Sequence, residues 1–306
     1  MDTSTEIEEV NQIEEEGNKI KSEKEVIEEP FQFETKIKKE NIEDFLKSLL
    51  IFADEGMVTI NKNGIETRVV DSSHSFMVTT TLNEGGMFKY SMSDSEKRMV
   101  GTPIKMILKL IGKAKKNEAI QIEYLPGTTE KDEGIKITFG ALQYDLPLID
   151  VDTIEKVPKP PQIIFPIGIT MRSRKFRETM ALVSEIADEI TFTVPANEDK
   201  LTVEGGNAML KEIHQAEPHI LTTIENGDIL KFESVKENKN EDENIRIRKG
   251  EIKARFDAEK LNKISKIIAK MGKVTIRTDT DYPCEIEASF ANGYGKIKYL
   301  LAPRIE

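Results

Sequence analysis

Tyr144-Asp145-Leu146-Pro147-Leu148-Ile149-Asp150 and Tyr299-Leu300-Leu301-Ala302-Pro303-Arg304-Ile305-Glu306 are two versions of one closing phrase, each a tyrosine-led apolar run interrupted by a proline and ended by an acid. A phrase that recurs half a chain apart points to internal duplication, and the segments before it agree. Each half opens with a short strand (31–37; 162–167) and a helix (41–53; 171–187). Alternating strands follow, Met57-Val58-Thr59-Ile60 with an Asn63-Gly64 turn and Ile190-Thr191-Phe192-Thr193-Val194 with a turn through Asp199. A second helix comes next, 102–112 and 257–271, with Thr102 and Asp257 as N-cap types and Gly112 and Gly272 near the ends. Between the halves, Val157-Pro158-Lys159-Pro160-Pro161 and Pro166 form a stiff, extended connector, because proline has no N–H for a central strand. The expected division is a first domain at 31–150, a connector at 151–166 and a second domain at 167–306.

The helices decide which face is free. At 100° per residue, Ile104, Ile107, Leu108 and Ile111 share one side of the first half's second helix, and Lys105, Lys109 and Lys113 the other. Its counterpart repeats this with Leu261, Ile264, Ile268 and Met271 against Lys263, Lys266 and Lys270. The second half's opening helix buries Phe176, Met180, Val183 and Ala187 and turns Arg174 and Arg177 outward, whereas the first half's presents Lys47 beside Glu43 and Asp44. Lysines on a solvated helix face are ordinary. Three of four outward faces being basic in a net-negative chain is a sign bias, and converging faces of this kind suit sequence-independent contact with phosphates. Few aromatics and no tryptophan favour duplex over stacked single strands.

The formal charge of the 306-residue chain is −11, which excludes a uniformly basic, polyanion-wrapping surface. Most of it is local: residues 1–29 hold eleven acids and three lysines, leaving the other 277 residues at −3. Such a segment buries too little apolar surface to offset ordering entropy, so residues 1–30 read as a disordered acidic tail. No secretory or membrane-spanning pattern occurs, and the single cysteine, Cys284, excludes an intramolecular disulfide or a multi-thiolate metal site. An intracellular protein is expected.

Catalytic constellations are weak. His74 follows Ser72 and Ser73, but a nucleophile requires a base and an orienting acid placed in space, not adjacent in a strand. His214 and His219 with Glu217 read as polar surface, Asp150 and Asp152 as an acidic patch on one strand face, and Cys284 as a buried apolar residue. No glycine-rich phosphate loop is present. The expectation is no enzyme activity, no cofactor and no metal.

Asp71-Ser72-Ser73-His74, Pro147-Leu148-Ile149-Asp150-Val151-Asp152 and Gly295-Lys296-Ile297-Lys298-Tyr299-Leu300-Leu301-Ala302-Pro303-Arg304-Ile305-Glu306 closely resemble DNA sliding clamps, the proliferating cell nuclear antigen (PCNA) family and its archaeal members. The resemblance spans residues 31–306. It implies an α+β fold of two duplicated clamp domains, helices lining a central hole and antiparallel sheets outside, in a ring-shaped homotrimer. It implies a processivity factor without catalytic activity that encircles double-stranded DNA, is opened by a clamp loader, and tethers DNA polymerase, flap nuclease and ligase through short peptides, with no membrane partner. Residues expected to face DNA are Lys47, Lys105, Lys109, Lys113, Arg174, Arg177, Lys263, Lys266 and Lys270. The partner-peptide pocket would be Val70, Met77, Ile154, Val157, Pro283, Leu300, Ala302 and Pro303. For the subunit interface the resemblance implies Leu110, Tyr144, Val203 and Gly205, on candidate edges at 134–144 and 203–215. The acidic tail and the proline- and lysine-rich connector depart from the family plan. A scaffold that joins a mixed ring without encircling DNA alone is the alternative. The end at Glu306 leads to the expectation of an archaeal source, cytoplasmic and nucleoid-associated; a eukaryotic one would be nuclear.

Overall fold

A computed structural model describes residues 31–305 apart from 52, 94–96, 128–131, 207–219, 226 and 235–247. The acidic segment 1–30 and the histidines 214 and 219 with Glu217 lie outside the described residues. The first half runs β1 (Phe33–Lys38), α1 (Lys39–Lys47), β2 (Gly56–Asn61), β3 (Gly64–Val70), β4 (Phe76–Asn83), β5 (Lys89–Met92), β6 (Arg98–Thr102), α2 (Ile104–Ile111), β7 (Ala119–Leu125), β8 (Gly134–Phe139) and β9 (Leu142–Pro147). The second half repeats the order as β10 (Ile167–Arg172), α3 (Ser173–Val183), β11 (Glu189–Val194), β12 (Leu201–Gly206), β13 (Ile220–Ile224), β14 (Ile229–Ser234), β15 (Ile252–Asp257), α4 (Ala258–Ile268), β16 (Lys273–Thr278), β17 (Cys284–Phe290) and β18 (Gly295–Leu301).

The sheets repeat it too. The first half holds a five-stranded set in the order β5-β1-β7-β8-β9, and the second half holds β14-β10-β16-β17-β18, the same order of counterparts. The four-stranded sets correspond likewise, β4-β3-β2-β6 with β13-β12-β11-β15. The first half's four strands join the second half's five through β4 and β18, antiparallel from Gly295↔Leu82 to Leu301↔Phe76, which makes one nine-stranded sheet. Gln32–Glu306 is accordingly one compact unit. This is an antiparallel α+β architecture, in which strands alternate between the core and solvent.

Each helix buries the stripe its sequence marks: Ile42, Phe45 and Leu46 on α1, Ile104, Ile107 and Ile111 on α2, Phe176, Met180 and Val183 on α3, Leu261, Ile264 and Ile268 on α4. Burying one such side chain stabilises by roughly 1.5–3 kcal/mol, far more than an exposed helix pair contributes. Helices α1 and α2 pack together, as do α3 and α4.

Several expected boundaries are corrected. Helices α1 and α3 stop well short of 53 and 187, at serines whose hydroxyls turn back on the helix: Ser48 Oγ donates to the Phe45 carbonyl at 2.6 Å, and Ser184 Oγ to that of Ala181 at 3.3 Å. A serine bonded to its own backbone competes with further helix, and it does so at equivalent places in both halves. Thr102 does not cap α2, since Pro103 holds that position and the Thr102 hydroxyl bonds to Val100 O; Asp257 does cap α4, accepting from Lys260 N at 2.9 Å. The second half's first strand starts at Ile167, not 162, because Pro166 has no N–H to give the ladder.

Candidate nucleic-acid face and partner groove

The expected basic residues fall into three groups. Lys109 and Lys266 are exposed and make no ion pair among the described residues. Lys47, Lys105, Arg174, Lys263 and Lys270 are exposed but held by a local acid, respectively Glu43, Asp54, Glu178, Glu259 and Asp44, at 2.5–2.9 Å. The pairs of Lys105, Arg174 and Lys263 are exposed on both sides and worth at most about 1 kcal/mol, so these cations remain exchangeable toward a phosphate, whereas the partners of Lys47 and Lys270, Glu43 and Asp44, are largely buried. Lys113 lies over the Tyr144 ring, 5.2 Å from its centroid. Arg177 corrects the outward assignment: half-buried, it donates to Asn262 Oδ1 at 2.6 Å and Ser265 Oγ at 3.3 Å, tying α3 to α4. Its column on the helix wheel borders the partner helix rather than solvent.

Lys47 from the first half and Lys263, Lys266 and Lys270 from the second line one groove between α1 and α4, with Leu50 and Ile267. Lys270 reaches Asp44, whose carboxyl is pushed up by burial against the pull of that ammonium. Basic side chains far apart in sequence thus share one surface.

On the sheet face beneath the connector, pairing sets three of the expected pocket residues in one row, Val70↔Met77 and Met77↔Leu300. Val70 also lines a groove with Ile154, Val157, Met57, Arg68 and His74, closed over by Glu155–Pro158. Pro283, Ala302 and Pro303 are half-buried at the ends of β17 and β18. The connector enters close to the sheet at Gly101, which bridges Ile149; a side chain there would lie 2.1 Å from the Ile149 carbonyl.

The Asp71–His74 tetrapeptide builds the turn at the rim of this groove. Asp71 accepts from the backbone N–H of Ser75 and Phe76 (both 2.9 Å), from Ser73 Oγ (2.6 Å) and from Lys260 Nζ (2.7 Å). Burial opposes its ionisation, but Lys260, Ser73 and Phe76 outweigh it and hold the carboxyl below its ordinary value. His74 sits at φ 53°, exposed, 3.8 Å from Glu155 of the connector. Serine and histidine are turn residues here: Ser73 Oγ donates to Asp71 and not to His74, and the acid that meets the imidazole is an exposed connector side chain, Glu155. Asp150 and Asp152 lie not on a strand but at a 3₁₀ turn (Val151–Thr153), where Asp150 accepts from Asp152 N. Among the described residues no group of three or more His, Cys, Asp or Glu could hold a metal ion. Cys284 is fully buried, and burial pushes its thiol far up.

Comparison with known proteins gives the same architecture a family. No family model matches the chain. The DNA polymerase sliding clamp of Methanosarcina barkeri is 27% identical over 274 residues, 90% of this chain and 99% of that protein. That of Archaeoglobus fulgidus is 24% identical over 260 residues, 85% and 93% of the two chains. Among solved structures, A. fulgidus PCNA bound to the C-terminal region of FEN-1 superimposes with a TM-score of 0.72 at 20% identity, covering 90% of this chain and 99% of that one. Thermococcus kodakaraensis PCNA gives 0.70 at 21% identity, covering 89% and 100%. Over about nine-tenths of its length the chain is similar in sequence and fold to the DNA sliding clamps, a likeness that supports a clamp of the PCNA family.

In this chain, two expected interface residues need correction. Val203 and Gly205 lie on β12, an interior strand paired with β11 on one side and β13 on the other; 207–215 of that expected edge lies outside the described residues. Gly205 packs under α3, where an added Cβ would lie 2.3 Å from Val183 Cγ1, so its small size serves helix-on-sheet packing. Tyr144 sits on β9, an edge strand of the five-stranded sheet, and Leu110 is half-buried on α2. Two apolar residues escaped the sequence reading: Leu142 on β9 and Leu221 on β13, 45% and 60% exposed on two of the sheet ends among the described residues. Their signal was weak, since single leucines in alternating strands resemble ordinary core positions.

Proposed function

We propose that the chain is one subunit of a homotrimeric ring that encircles duplex DNA and tethers replication and repair enzymes, without chemistry of its own. The observation that carries this is the β4–β18 joint. Within the chain, the end strand of one four-stranded set pairs with the end strand of one five-stranded set. Their counterparts, β13 and β9, are left as sheet ends among the described residues. A second copy repeating the internal joint would satisfy both, and closure after three chains makes six equivalent units. The domain division at 31–150, 151–166 and 167–306 belongs to the same reading. Leu142 and Tyr144 on β9, with Leu110 of α2, would form one side of the subunit contact.

The ring must slide, so each phosphate contact is weak and topology retains the DNA; flexible lysines give diffuse, exchanging contacts. Lys47, Lys105, Lys109, Lys113, Arg174, Lys263, Lys266 and Lys270 are assigned to that lining. Partners proposed are a clamp loader, polymerase, flap nuclease and ligase, docked by short peptides over Val70, Met77, Leu300 and the connector; the A. fulgidus structure with a FEN-1 segment supports this mode. Replacing several lining lysines with alanine should weaken loading on DNA while the trimer persists. Loading that is unchanged in such a variant overturns the assignment. A mixed ring is the second reading, favoured by the structural likeness to a PCNA2–PCNA3 complex from Sulfolobus tokodaii. Solution mass separates the two: three chains of 34.7 kDa give roughly 104 kDa, whereas a mixed-ring subunit alone stays smaller.

A further inference from the structure

The groove beneath the connector holds a cation that the fold leaves without a counter-charge. Arg68, on β3, lines it beside apolar Val70, Ile154 and Val157. Its Nε is buried with no hydrogen-bond partner, and its Nη1 makes one long contact, 3.4 Å, to the carbonyl of Pro158. Among the described residues no carboxylate lies within ion-pair distance of it. The reason is in the register. The row across the sheet from Arg68 runs through Thr79 to Lys298, which adds a second cation, before it reaches Glu287. Glu287 and its neighbour Glu285 are already engaged by Arg277, Lys298 and, for Glu287, Lys296. On the connector side, Glu155 faces His74, Lys156 adds further positive charge, and Glu55 is exposed without reaching Arg68.

A guanidinium presents five donors in a planar fork that a carboxylate matches with two parallel bonds. A buried donor left unmatched is costly, and an incoming carboxylate that matched it would remove that cost. Arg68 and Val70 are two residues apart on one strand face, about 6.6–6.8 Å along β3, the spacing of alternate residues in any extended peptide laid beside it. We propose that this groove selects partner peptides carrying an acidic side chain two residues from their apolar anchor, with the carboxylate paired to Arg68. The inference rests on the groove being the partner-peptide site, as proposed above, and adds the chemical class of partner that it prefers.

The test is calorimetric titration of the full chain with synthetic peptides built on one aromatic plug, differing only in Glu or Gln two residues before or after the anchor. One Glu peptide should bind about tenfold more tightly than its Gln twin. That preference should vanish in Arg68→Gln and be partly kept in Arg68→Lys. Equal affinity of both Glu peptides and their Gln twins for the unaltered chain overturns the proposal, as does a preference that survives Arg68→Gln. Should the Gln peptides bind well but the Glu peptides no better, only the acidic preference is lost. Should no plug peptide bind at all, the partner-groove reading itself fails and takes this one with it.

Discussion

Asp71 is the residue on which the rim of the proposed partner groove depends, because one carboxylate closes a turn, satisfies two backbone N–H groups and holds Lys260 of α4 against it. Asp71→Asn keeps the shape and removes the charge, so a loss of about 1–3 kcal/mol is expected in urea unfolding at neutral pH. The sign of its pH dependence follows from a lowered folded value. The contribution is complete above the unfolded value, near pH 4, and is lost as pH falls through the folded one. The difference between the two proteins should therefore shrink as pH falls below about 4; a difference that grows there contradicts the assignment. The tetrapeptide was legible in sequence as a family mark but not as a turn, since nothing local announces a lysine nearly two hundred positions away.

At the scale of elements, the helices carry separable roles. Lys109→Ala with Lys266→Ala removes two exposed cations without a described acid, so the salt dependence of DNA binding should fall by about one slope unit per lysine, with the melting temperature unchanged. Arg177→Ala should do the reverse, lowering the melting temperature through the lost α3–α4 tie while leaving the salt slope nearly intact. A slope change for Arg177→Ala as large as for a lysine would return it to the DNA face. Gly205→Ala should destabilise by about 1–3 kcal/mol, because a Cβ there meets Val183 and Ala187. The apolar stripes and the duplicated order of elements were readable from periodicity, because burial of Ile, Leu and Phe dominates helix energetics. Helix ends were not, since Ser48 and Ser184 stop their helices through side-chain bonds that a hydropathy pattern does not register. The mispairing of Val203 and Gly205 with an edge has a similar origin: alternation marks a strand, but which neighbours it takes is decided by the whole sheet.

For the whole molecule, the internal joint is the template from which assembly is argued. Leu142→Asp or Leu221→Asp places a charge on one of the two edges proposed to join subunits, β9 and β13, and either should shift the solution mass from a trimer toward a 34.7 kDa chain without unfolding it. The net charge of −11 said little about this, while its separation into a terminal acidic segment and basic helix faces said more. The central claim is topological retention on DNA, and loading onto circular duplex tests it most directly. With a matching clamp loader and ATP, the chain should remain on closed circles through a high-salt wash and leave when a single cut linearises them. Equal loss from circles and linear DNA, or retention on both, would contradict encirclement.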